Sequence, residues 1–140
     1  MVTINNLGKI YMIITHCKNE GVPTTMDTIE NRIAKLEYYQ SLLLEMIDET
    51  KKPFYHLIIK ANLAKHEVDD VLKLCETLSE EYEKQKAEGF VMFTPLLTHF
   101  AGMLHPKLPL DQTIDALLQQ NMFVPLMKEF KKLISEVNQL

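Results

Sequence analysis

IENRIAKLEYYQSLLLEMI, residues 29–47, decides the fold class. Within it Ile29, Ile33, Leu36, Gln40, Leu43 and Ile47 follow a 4-3-4-3-4 spacing. A strand alternates its side chains between two faces, which would scatter these residues. A helix of 3.6 residues per turn gathers them on one face. The result is a heptad seam with one polar member, Gln40. Tyr39, Leu42, Leu44 and Met46 broaden the apolar face beyond that seam. The spacing predicts a helix from about Asp27 to Glu49, roughly 35 Å long at 1.5 Å per residue. Thr24 or Thr25 is placed to cap it, and Asp27 and Glu30 fall in the first turn, where the helix dipole favours acids. Thr50-Lys51-Lys52 ends the pattern, and Pro53 restarts it at a favoured first-turn position.

The same stride continues to the C-terminus. A second, short helix is expected from Pro53 to about Asn62, with Phe54, Leu57 and Ile58 apolar and a break at Asn62-Leu63. A third runs from about Lys65 to Glu88 with Val68, Val71, Leu72, Cys75, Leu78 and Tyr82 on one face, and Gly89 as its stop. Thr94-Pro95 opens a fourth through Leu96, Leu97, Phe100, Met103 and Leu104. His105 to Pro109 reads as a stiff linker. A fifth helix starts near Asp111 with Ile114, Leu117 and Leu118 inward, and Asn121 takes a left-handed stop. A sixth, about Phe123 to Val137, is expected to bury Leu126, Phe130, Leu133, Ile134 and Val137. The class is therefore all-α: a single-domain bundle of five to six helices with a long, coiled-coil-like N-terminal helix.

Residues 1–25 read differently. They hold two of the four glycines and few charges, and their apolar run, Ile10 to Ile14, has no second strand to pair with. Glu20-Gly21-Val22 can be encoded by a purine-rich ribosome-binding sequence, and Met26 lies a few codons downstream. The expectation is a translated leader or poorly structured extension over 1–25 and a helical domain over 26–140.

Bulk composition narrows the function. The 140 residues carry 15 Lys and Arg against 19 Asp and Glu, a net charge of −4. Nucleic-acid binding draws its affinity from cations on phosphates, so that balance argues against it. The fourth and fifth helices superficially resemble a helix-turn-helix. Its would-be reading helix holds Asp111 and Asp115 and no cation, which would repel phosphate. Ile10 to Ile14 is far too short for a bilayer, which takes about 20 residues. It also makes a poor signal peptide. Cys17 and Cys75 are too few and too far apart for a disulfide framework or a zinc site. A reduced, cytoplasmic protein without cofactor or metal is expected.

Catalytic motifs are absent. No Glu is followed three residues later by a His, so a di-iron bundle fails. The glycines are too scattered for a dinucleotide fingerprint or a P-loop, and no hydrolase, zincin or kinase signature appears. His99 and His105 stand six apart, not a same-face spacing, and like His56 they read better as surface or packed histidines than as ligands or bases. His66 beside Glu67, Asp69 and Asp70 fits an acid-enriched helix N-terminus better than a cation site. The third helix carries eight acids against four lysines. A solvated face explains it, helped by a Glu80–Lys84 pair, although a basic partner would also fit.

The first helix carries the strongest functional signal. It is either the core helix of a monomeric bundle or a self-association seam formed by Ile29, Ile33, Leu36, Tyr39, Gln40, Leu43 and Ile47. The apolar residues wrap wider than one neighbour covers. Each large side chain removed from water contributes roughly 1.5–3 kcal/mol, and left exposed they would form an associating patch.

Asn31 to Tyr39, Pro53-Phe54-Tyr55, Leu78-Ser79-Glu80-Glu81 and Gln85 to Phe90 resemble the YhaI-like family of low-GC Gram-positive bacteria. So do Phe100-Ala101-Gly102 and Leu110 to Met127, the likeness running from about Met26 to Val137. The resemblance implies a small helical fold, a bacterial cytoplasm and a domain of unknown function. It supplies no activity and no site residues. Asn121 stands where a glycine stop would be expected.

The sequence thus implies a non-enzymatic interaction or regulatory protein that forms a homodimer through its first helix, with no nucleic-acid or membrane partner. The rival class is a small-ligand binder or enzyme with a pocket near His99, His105 or Cys75.

Overall fold

The computed structural model describes residues 27–140 and is all-α, with no strand among the described residues. The expected leader, 1–25, and the caps expected at Thr24 or Thr25 lie outside them. The order is α1 (Ile29–Met46), α2 (Pro53–Ala61), α3 (Lys65–Ala87), α4 (Thr94–Met103), α5 (Leu110–Gln119) and α6 (Val124–Asn138). The chain divides into two compact units, one ending at Met46 and one from Ile47 to Leu140.

In the first unit, α1 is capped by Thr28, whose Oγ1 accepts from Asn31 N at 3.1 Å. Side-chain oxygens in this position satisfy one of the amides a helix start leaves orphaned. Asp27 pairs with Lys35 and raises the lysine's pKa. The helix is 18 residues long, about 27 Å, and stops short of the expected Glu49. Just past the boundary, Asp48 Oδ1 accepts from Thr50 N at 3.0 Å and from Thr50 Oγ1 at 2.7 Å. This Asx turn offers the backbone an alternative to another helical turn.

The second unit owns the core. α5 packs on α2 and α6, α3 on α4 and α6, and α4 on α6. Phe54, Phe100 and Phe130 are fully enclosed together with Cys75, Ile114, Leu117, Leu126 and Met127. Phe100 and Phe130 stack at 5.3 Å between ring centroids, and Tyr82 meets Phe93 edge-on at 4.7 Å. Such offset and edge geometries suit the ring quadrupoles. On α3 the buried stripe is Val71, Cys75, Leu78 and Tyr82, a 4-3-4 spacing as expected.

Three helix ends share one device. Asn62, Gly89 and Asn121 take φ of 55°, 91° and 58°. Each donates its N–H to the carbonyl three residues back, and the next residue donates to the carbonyl five back. The second bonds are Leu63 to Ile58 at 3.3 Å, Phe90 to Gln85 at 2.9 Å and Met122 to Leu117 at 2.9 Å. These are Schellman closures, each followed by an apolar residue. Asparagine replaces glycine at two of them because its short polar side chain tolerates the left-handed region. The start of α2 is closed from a distance: Phe54 N donates to Gln120 Oε1 at 3.0 Å, beside the α5 stop.

Two expectations need correction. Val137 is 62% exposed rather than inward, the apolar stripe of α6 running past the part of the helix that its neighbours bury. The α3 ion pair at i,i+4 is Lys65–Asp69 rather than Glu80–Lys84.

Candidate functional site

Two features of the described chain have the extent of a site. The first is α1. None of its residues is buried. Ile29, Ile33, Leu36, Tyr39 and Leu43 stand at 68, 49, 64, 52 and 56% exposure, and Gln40 is exposed among them. Ile47, the last residue of the expected seam, is also exposed but lies one residue beyond the helix. The helix thus carries the heptad positions from Ile29 to Leu43 as one stripe, with Leu44 half-buried beside it.

The second is a groove of about 640 Å³ between α3 and the α4 exit. His99 and His105 both line it, as do Glu67, Asp70 and Lys73, over a floor that includes Val71, Leu74 and Leu104. Cys75 does not line it. Its side chain is fully buried, and burial pushes the thiol up to about 12. At neutral pH such a group is an unreactive thiol rather than a nucleophile.

The His105 ring is fully engaged. Lys107 N donates to Nδ1 at 3.1 Å, so Nδ1 is the acceptor nitrogen. Nε2 then carries the proton and donates to Glu67 Oε1 at 3.0 Å. The other oxygen of Glu67 accepts from Ala64 N at 2.7 Å, half of a capping box in which Ala64 has no side chain to return the bond. The Ala64 bond first, and the His105 bond second, hold the Glu67 carboxyl below its ordinary pKa. A general base needs a free lone pair, and His105 has none. The trio His99, His105 and Cys75 therefore forms no nucleophile–base pair. The Glu67–His105 contact pins the α4 exit to the α3 start.

A family model described as a protein of unknown function, DUF1878, matches residues 26–135. The chain belongs to that family. In this DUF1878 chain no helix among the described residues is long and apolar enough to cross a membrane. Among the same residues, no three His, Cys, Asp or Glu side chains gather in a metal-ligating group.

Two polar residues of the DUF1878 chain are buried, and the sequence reading weighed only His56 as a packed side chain. Thr113 is fully buried on α5, its Oγ1 donating to Pro109 O at 2.6 Å. His56 is 9% exposed and stands with Nε2 3.1 Å from Glu49 Oε1. That carboxylate lies off the ring's bonding direction, which leaves the imidazole without a well-aligned partner. No local spacing signals Thr113, because burial of a polar residue on α5 depends on helices packed against it.

Proposed function

We propose that this chain is a non-enzymatic cytoplasmic interaction protein, of the YhaI-like bacterial type, that self-associates as a homodimer through α1. The observation that carries the reading is the run of exposed apolar side chains on α1, Leu36 at 64% and Leu43 at 56% among them. Exposed apolar surface of that extent associates in water, with each large side chain contributing roughly 1.5–3 kcal/mol once covered. A non-enzymatic role is supported by the engaged ring of His105 and the raised thiol of Cys75.

Light scattering on the full chain tests it. The wild type should run at twice its monomer mass, and Leu36→Glu with Leu43→Glu should give monomers or aggregates. A double variant with unaltered assembly would refute the seam.

A second reading has one observation in its favour. The groove's volume, about 640 Å³, is that of a small-ligand site, which typically spans roughly 300–1,000 Å³. Chemical-shift changes confined to His99, Lys73 and Thr77 on addition of a metabolite mixture would support it.

A further inference from the structure

Self-association leaves the direction and register of the two helices open, and the flanking residues of α1 decide both. The 4-3-4-3 spacing makes Ile29, Leu36 and Leu43 heptad d positions and Ile33 and Gln40 a positions. Glu30, Glu37 and Leu44 then fall at e, and Arg32, Tyr39 and Met46 at g. The e and g residues border the seam and meet those of the facing helix, so their chemistry selects among arrangements.

Resting on the self-association proposed above, we infer that α1 pairs with α1 of a second copy in parallel and in register, Arg32 of each copy against Glu37 of the other. In this arrangement each g residue meets the e residue five positions on in the opposite copy. Arg32 faces Glu37 and Tyr39 faces Leu44, once on each side of the pair. The two Gln40 side chains share one layer, where each amide has both a donor and an acceptor to offer the other. Two of the apolar residues outside the strict seam are accounted for, because Tyr39 and Leu44 extend the dry contact outward.

The antiparallel alternative with full overlap places Ile29 opposite Ile47, Ile33 opposite Leu43 and Leu36 opposite Gln40. Each e residue then meets an e residue. Glu37 faces its own copy, a like-charge contact, and Glu30 faces Leu44. Gln40 sits against a leucine, where its amide has no partner. Arg32 and Glu37 are both exposed and enter no ion pair among the described residues, which leaves them available to a second copy.

Cross-linking of the full chain reads the register directly. In a Cys17→Ser background, Leu36→Cys should form a symmetric disulfide between copies under mild oxidation, because only the parallel register places two d positions side by side. Cys75 is buried and does not compete. A Leu36→Cys chain that links only when mixed with a Gln40→Cys chain would overturn the parallel register while leaving self-association intact. A wild-type chain that is monomeric by light scattering would overturn the underlying reading instead. The charges give an independent arm. Arg32→Glu should weaken association about tenfold, replacing two attractive pairs with two repulsive ones, and adding Glu37→Arg should restore it. Association indifferent to Arg32→Glu would also overturn the register.

Discussion

His105 Nε2 stands 3.0 Å from Glu67 Oε1, a bond between residues 38 positions apart that ties the exit of α4 to the first turn of α3. Glu67 serves two ends at once, since its other oxygen closes the α3 start at Ala64. The consequence is a pH dependence of known sign. The folded chain holds the Glu67 pKa below its ordinary value near 4.5. A depressed carboxylate contributes stability that is present above the unfolded pKa and is lost as pH falls through the folded value. Urea titrations should therefore find Glu67→Gln less stable than wild type at about pH 7, with the gap closing between about pH 5 and pH 3. A gap that stays constant on acidification would show that the charge contributes nothing.

Phe100 and Phe130 carry the densest part of the core, both fully buried with rings 5.3 Å apart. Phe100→Ala should cost about 3–5 kcal/mol, the transfer term plus a cavity that surrounding helices only partly fill. Phe130→Ala should cost a similar amount. The double variant should lose less than the sum, by about 0.5–1.5 kcal/mol, because the ring pair is removed only once. Denaturant unfolding of all four proteins checks this, and strict additivity would mean that the two rings do not interact.

The buried stripe and the three Schellman ends were legible because each rests on residues within one turn of one another. Val71, Cys75, Leu78 and Tyr82 show their stride in the sequence itself, and so do Gly89 and Asn121 as stops. Burial by distant helices was not legible in the same way. Periodicity tells which stripe of α6 is apolar but not how far along it the neighbours reach, so it marks Val137, which is exposed, and passes over Met127, which is fully buried. Glu67 read as one acid among several at a helix start, and the partner that gives it a second task lies beyond any local window. Of the two candidate sites, the α1 stripe is a local pattern and was visible. The groove is tertiary, and only its histidines could be named in advance.

Cys75 should be silent toward thiol reagents in the native state. With the thiol raised to about 12, the thiolate fraction at pH 8 is on the order of one in ten thousand, and the sulfur is fully enclosed. In a Cys17→Ser chain, native protein should show no labelling on the timescale of minutes and full labelling in denaturant. Fast native labelling would place the sulfur at the surface and reopen the groove as a site of thiol chemistry.

Gln40 is the polar member of an otherwise apolar seam, exposed on α1 between Leu36 and Leu43. A buried amide at an a position weakens a helix pair and confines it to the register in which two amides meet, because any other register strands each one against hydrocarbon. Gln40→Leu removes both effects together. Association should tighten about tenfold, as two more leucines leave water. At the same time the Leu36→Cys cross-link should lose its preference for the symmetric partner and accept cysteines placed at position 40 or 33 of the other copy. Dilution experiments followed by light scattering measure the first effect, and peptide mapping of the disulfides measures the second. A Gln40→Leu chain that associates no more tightly than wild type would mean that position 40 faces solvent in the assembly, and the heptad assignment of α1 would have to be rotated away from it.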